Sequence, residues 1–83
     1  MLRWKVYLLK CGDGSLYTGI TTDLEARVQK HSEGKGAAYT RSHLPVTLMW
    51  HEVVASESIA RKREAEIKKW KREKKLNLIQ NKT

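Results

Sequence analysis

"VYLLKCGDGSLYTGI", residues 6–20, is the stretch whose reading decides the fold. From residue 3 to residue 10 the chain alternates: Trp4, Val6 and Leu8 fall on one side of an extended backbone, and Lys5, Tyr7 and Leu9 on the other. That period of two is the pattern of a β-strand. Residues 15–21 form a second β-rich run. Between the runs, Gly12-Asp13-Gly14 is turn chemistry, with two glycines that tolerate positive φ around a turn-favouring aspartate. The stretch reads as a hairpin carrying one tyrosine on each strand, Tyr7 and Tyr17. Loop length decides whether the two meet. A two-residue Asp13-Gly14 loop sends them to opposite faces of the sheet, whereas a three-residue Gly12-Asp13-Gly14 loop puts both on one face. A bulge elsewhere in the hairpin would reverse that outcome.

The hairpin is followed by "TTDLEARVQKHSEG", residues 21–34. Thr22 and Glu25 have the spacing of a capping box, Asp23 suits the positive end of a helix dipole, and Gly34 is a natural stop. Leu24 and Val28 make the apolar stripe of this helix, and Arg27 and His31 sit at its border. Residues 34–45, "GKGAAYTRSHLP", read as a basic loop rich in hydrogen-bond donors. Residues 46–54 are a third strand with Val46, Leu48 and Trp50 assigned to one face. A second helix runs from Ser56, its cap, to about Trp70, with Ile59, Ala60, Ile67 and Trp70 apolar and Arg63 near the middle of that arc. The tail adds a short helix docked through Leu76 and Ile79. The expected fold is α+β: a three-stranded, mainly antiparallel sheet flanked by helices in the order β-β-α-β-α-α, as one domain over residues 1–83.

Eighty-three residues hold a single small core. No apolar run is long enough to span a membrane, and the first ten residues lack the apolar stretch and small-residue cleavage site of a secretion signal. Cys11 is the chain's one cysteine, which excludes an internal disulfide and a zinc-finger site and suits the cytoplasm. Charge is the strongest global signal. Seventeen Lys and Arg against nine Asp and Glu leave a net charge of +8. Residues 61–75, "RKREAEIKKWKREKK", carry nine basic and three acidic side chains, so +6 of the total lies there. A run of this density is the electrostatic footprint of a nucleic-acid-binding surface, and its apolar face is too narrow to insert into a lipid surface.

No phosphate-cradling Gly-rich loop, His/Cys cluster or Ser/His/Asp arrangement is present. Tyr7, Tyr17, Arg27, His31 and one of Glu64 or Glu66 remain, each with an ordinary structural explanation when taken singly. Together they make a set suited to phosphodiester hydrolysis. That reaction uses a cation held by a carboxylate, an arginine for the non-bridging oxygens and a group that removes the proton of water. The basic surroundings are expected to favour a tyrosine phenolate.

"VYLLKCGDGSLYTGITTDLEARVQKH" resembles the start of a GIY-YIG nuclease domain. Val6-Tyr7-Leu8 matches the first tyrosine element of that family and Tyr17-Thr18-Gly19 the second. Arg27 matches the helix arginine and His31 the histidine one turn later. Glu64, in "ARKREAEIKKW", is the best match to the single metal-binding glutamate, with Glu66 as the alternative. Asn77 is a candidate for an asparagine that many members carry. Val6, Leu8, Thr18 and Ile20 depart from the family's pattern at positions expected to pack. The resemblance implies a DNA endonuclease domain that uses one divalent ion, Mg²⁺ or Mn²⁺, on Glu64. Catalysis would rest on Tyr7, Tyr17, Arg27, His31 and Glu64. Gly19, Lys35, Tyr39, Arg41 and Lys68 would contact DNA without reading its sequence. Branched or damaged DNA is the expected substrate for a chain expected to act as a monomer. The rival readings are a non-catalytic DNA- or RNA-binding module, and an interaction subunit whose protein partner selects the target through an apolar patch around Trp70.

Overall fold

The computed structural model describes residues 3–80. Strand β1 spans Trp4–Lys10 and β2 Leu16–Thr21, followed by helices α1 (Leu24–Ser32) and α2 (Ala38–Arg41). Strand β3 spans Thr47–Val54, and α3 (Glu57–Lys68) and α4 (Arg72–Gln80) complete the chain. The three strands form one sheet in the order β2-β1-β3, antiparallel throughout.

The hairpin takes the odd-length loop. Tyr7 pairs with Gly19 and Leu9 with Tyr17, so both tyrosines stand on the same face. The pairing continues to Cys11, whose N–H donates to Ser15 O (2.8 Å), which leaves Gly12-Asp13-Gly14 as the loop. Gly14 N–H returns to Cys11 O (2.9 Å), and the φ of +87° at Gly14 is a conformation that a residue with a Cβ resists. The Asp13 carboxylate accepts from Ser15 N–H and from its hydroxyl, and Arg72 of α4 donates to Gly14 O (2.6 Å).

Opposite faces of this sheet carry different chemistry. Val6, Leu8 and Trp50 are buried with Ala60 and Ile67 of α3, and Trp4, Ile20, Val54, Trp70, Leu78 and Ile79 pack around them. Each large side chain so buried contributes about 1.5–3 kcal/mol. The other face buries Tyr7 and Leu9 together with His31 of α1.

Several expectations change. The α1 cap is Asp23, not Thr22: the Asp23 carboxylate accepts from Ala26 N–H (3.1 Å), while Thr21 Oγ1 accepts from Asp23 N–H. The carboxylate one residue later reaches the orphan amide, so the Thr22–Glu25 box does not form. Gly34 does end the helix, at φ +77°, with Gly34 N–H on His31 O and Lys35 N–H on Lys30 O. The segment read as a loop contains the single turn α2. In β3 the register shifts opposite Leu8/Leu9, so that Leu48 pairs with Leu9 but Trp50 with Leu8. Leu48 and Trp50 therefore face opposite sides of the sheet rather than one. Ser56 caps α3 as expected, accepting from Ile59 N–H, but Ile59 is 46% exposed and lies off the core. The tail helix docks through Leu78 and Ile79 in place of Leu76. Trp70 offers no open patch, being half-buried with Arg63 and Lys74 stacked on its ring at 5.3 and 4.4 Å. No helix of the described residues is long and apolar enough to cross a membrane.

Candidate active site

β2 is an edge strand, and Gly19 lies within it directly opposite Tyr7. Having no side chain at this point lets the Tyr7 ring run across the strand, since a Cβ on Gly19 would overlap the Tyr7 hydroxyl and lie 2.5 Å from Tyr7 Cζ. The phenol thereby reaches a pocket of about 300 Å³ at the sheet edge. Tyr7, Tyr17 and Gly19 line it from the hairpin, Arg27 from α1 and Glu64 from α3, with Trp4, Ile20 and Arg61 around them. Two helices packed on opposite faces of the sheet thus contribute an arginine and a carboxylate to one opening. A larger, mostly apolar hollow beside Lys5, Leu24, Val28 and Leu48 holds no comparable set of groups.

Behind the pocket the polar contacts are buried. His31 is 1% and Tyr7 1% exposed. The Tyr7 hydroxyl is 2.9 Å from His31 Nε2, and His31 Nδ1 is 2.7 Å from Thr40 Oγ1. Thr40, fully buried in α2, also reaches the carbonyl of Ala37 at 3.0 Å. The Tyr17 ring lies 5.3 Å from His31, tilted by 59°. Beyond Tyr17 the aromatic groups continue outward. Tyr39 is nearly parallel to it at 6.3 Å, and His43 is nearly parallel to Tyr39 at 4.3 Å. Tyr39 donates its hydroxyl proton to Ser15 Oγ (2.6 Å), and His43 Nδ1 donates to Tyr39 O (2.6 Å), so this exposed ring is held at both ends.

Electrostatics correct one expectation about the tyrosines. Burial of the Tyr7 phenol, reinforced by the neighbouring Tyr17, pushes its pKa up to about 12, although Arg27 pulls the other way. Removal from water outweighs the basic surroundings, so Tyr7 is a neutral phenol at pH 7 and not a resting phenolate. Burial, with Arg27 beside it, likewise holds His31 below the ordinary histidine value and keeps it neutral.

The two glutamates separate cleanly. Glu66 is bonded to Arg63, which also donates to Glu52 of β3 (3.2 Å), on the side away from the pocket. Glu64 lines the pocket, with Lys68 Nζ 3.2 Å from its Oε2. Among the described residues no group of three or more His, Cys, Asp or Glu could enclose a metal ion. A single carboxylate nevertheless fits a Mg²⁺-type ion, which keeps most of its waters and binds through one or two carboxylates plus substrate phosphate. Lys68 is engaged by Glu64, while Lys35 and Arg41 lie exposed on the α1–α2 side and Asn77 is exposed on α4 outside the pocket lining. Gly36 carries no signal in the sequence, and Thr40 reads there only as one of several donors in a basic loop, with no place in the site. A Cβ on Gly36 would overlap His31 Nδ1.

Comparison with known proteins bears on this arrangement. The family model described as the GIY-YIG catalytic domain matches residues 3–77. A UPF0213 protein of Streptococcus sanguinis is 54% identical over 78 residues, covering 94% of this chain and 90% of its own. One from Staphylococcus haemolyticus is 49% identical over 80 residues, covering 96% and 98%. The solution structure of a UPF0213 protein from Bacillus halodurans superimposes with a TM-score of 0.62 at 44% identity, covering 99% of this chain and 86% of the other. A second solution structure, from E. faecalis, gives 0.61 at 40% identity, covering 90% and 80%.

Proposed function

The chain belongs to the GIY-YIG catalytic domain family, a family of nuclease type, and from that premise we propose that it is a metal-dependent endonuclease that cleaves DNA of irregular structure. The observation that carries this reading is the convergence of Tyr7, Tyr17, Arg27 and Glu64 on one opening at the edge of β2. A bound divalent ion would be held by Glu64 and would supply a Lewis acid for the phosphate. The chain's own residues do the rest. The Arg27 guanidinium faces the phosphate's non-bridging oxygens and offsets their charge. The Tyr7 oxygen, held by His31, stands where it can take a proton from attacking water, and Tyr17 walls the same space. Exposed Lys35 and Arg41 add positive charge for the flanking backbone.

The finer substrate class rests on the aromatic surface. Tyr39 and His43 present stacked rings next to Tyr17, and such rings hold unpaired bases whatever their identity. Regular duplex, whose bases are already stacked, offers nothing to this surface. Forks, flaps and damaged sites do.

The test is cleavage of forked, flapped and linear DNA by the purified chain in Mg²⁺ or Mn²⁺, beside Glu64→Gln and Tyr7→Phe. The expected result is metal-dependent cleavage of the branched substrates. Each variant should lose roughly 10²–10³-fold in kcat, the cost of removing a transition-state stabiliser, with binding retained. Binding by all three proteins with equal inertness on every substrate would leave a nucleic-acid-binding module as the answer.

A further inference from the structure

We propose that Thr40 is a positioning residue that holds His31 in the Nδ1–H form, so that the lone pair of Nε2 faces the Tyr7 hydroxyl and becomes the destination of the proton released during hydrolysis. The placement of protons rests on hydrogen-bond geometry; only its use in hydrolysis rests on the nuclease reading above.

The argument starts at a backbone carbonyl. Ala37 O can only accept; it takes the Arg41 N–H at 3.0 Å on one side, and Thr40 Oγ1 stands 3.0 Å away with geometry to donate to it, which places the single hydroxyl proton of Thr40 on that carbonyl. Thr40 Oγ1 is then an acceptor for its other close neighbour, His31 Nδ1, at 2.7 Å. A neutral imidazole carries one N–H. With that proton on Nδ1, Nε2 is bare, and the Tyr7 hydroxyl at 2.9 Å must donate to it. Three hydrogen bonds point the same way, from Tyr7 to His31 to Thr40 to Ala37. The groups facing the imidazole are Tyr7 from β1, the Tyr17 ring from β2, Arg27 from its own helix and Thr40 from α2. Tyr7 bonds the other ring nitrogen, Thr40 is the hydrogen-bond partner of Nδ1, and Gly36 beside that nitrogen has no side chain to compete with it.

This direction answers a difficulty of the site. A phenol whose pKa stands near 12 is a weak source of phenolate at pH 7. If Tyr7 passes its proton to His31 Nε2 while its oxygen takes one from water, no free phenolate is needed. The water oxygen bonds to phosphorus as the phosphorus bond to the leaving oxygen breaks. One proton leaves water, one arrives on Nε2, and the leaving oxygen takes its proton from solvent. The imidazolium so formed keeps its Nδ1–H bond to Thr40. The opposite tautomer would aim an N–H at Tyr7 and close this route.

The test reads the tautomer directly, by long-range ¹H–¹⁵N NMR of the histidine rings in the full ¹⁵N-labelled chain at pH 7.5. His31 in the wild type and in Thr40→Ser is expected as the Nδ1–H form, and Thr40→Val is expected to lose that single form. In cleavage, Thr40→Val should lower kcat roughly 10–100-fold, the size of loss seen when the partner that orients a metal-bound histidine is removed. KM should not move, and Thr40→Ser should recover most of the rate. An Nε2–H tautomer in the wild type overturns the proposal even if no variant folds. So does a Thr40→Val chain that keeps the Nδ1–H form, or one that changes tautomer without any loss of kcat. A chain that cleaves nothing yet shows the expected tautomers refutes the nuclease reading and leaves the placement of His31 by Thr40 intact.

Discussion

Tyr7 and Gly19 face each other across the first two strands, and the phenol of Tyr7 occupies the space that a side chain at Gly19 would fill. Gly19 has no positive φ, so its backbone would accept another residue. The constraint is purely one of volume. Gly19→Ala is expected to displace the Tyr7 ring from His31 at a cost of about 1–3 kcal/mol, typical of overpacking a tight site. Thermal unfolding should report the loss. Cleavage should fall as well, because the phenol leaves the pocket. A Gly19→Ala chain with wild-type stability and rate would show that Tyr7 is not where the site needs it.

The pH dependence of stability follows from two buried groups. His31 binds its proton less readily in the fold than at the unfolded value near 6.5. Below about pH 6.5 the unfolded chain takes up a proton that the fold refuses, so stability is present above that pH and falls as the pH drops. Tyr7 acts at the other end. Its folded value of about 12 against roughly 10 when unfolded means that the unfolded chain loses its proton first as the pH rises. Stability should therefore be intact below about pH 10 and decline as the pH approaches 12. Melting temperatures taken from pH 5 to 11 check both limbs, and His31→Gln should flatten the acid one. An acid limb as steep in His31→Gln as in the wild type would place its origin elsewhere.

What could be read in advance divides along physical lines. The hairpin, its turn glycines and the Ser56 cap are local chemistry, written in adjacent residues, and the sequence alone narrowed the tyrosine question to the length of one loop. The shift in β3 was hidden because Val46, Leu48 and Trp50 alternate without interruption, and only pairing with β1 shows the extra residue opposite Leu8/Leu9. The α2 turn, four residues long, is too short to nucleate alone and so leaves no propensity signal. Thr40 meets His31 from nine positions further along the chain. Glu64 and Glu66 flank the apolar arc of α3 on opposite sides, as a helix sets any two residues that are two apart, and which side meets the hairpin tyrosines shows only when α3 is packed on the sheet.

Tyr39 tests the substrate class. Its ring is 43% exposed yet fixed by Ser15 and stacked on His43, so it is preorganised for contact rather than free to collapse. Tyr39→Ala should weaken binding to a flap by about 1–3 kcal/mol, the worth of one stacked base, and leave duplex binding nearly unchanged. Tyr39→Phe, which loses only the Ser15 bond, should stay close to wild type. A 2-aminopurine placed in the unpaired strand provides the readout by its quenching. Equal weakening toward flap and duplex in Tyr39→Ala would mean that the residue serves the DNA backbone and not a base.

Thr18 supplies a change that should improve the fold without touching the site. It pairs with Leu8 on the core-facing side of the sheet, is 2% exposed, and its hydroxyl finds no hydrogen-bond partner. A buried hydroxyl without a partner carries its full desolvation penalty, about 1–3 kcal/mol. Thr18→Val keeps the branched shape and removes the oxygen, so it should gain stability of that order. For a domain of this size each kcal/mol raises the melting temperature by roughly 4–8 °C. Because Thr18 points to the α3 face, away from Tyr7 and Tyr17, the cleavage rate should not change. A Thr18→Val chain that melts lower would mean that the hydroxyl is bonded in solution, and a slower one would mean that this face and the pocket are coupled through β2.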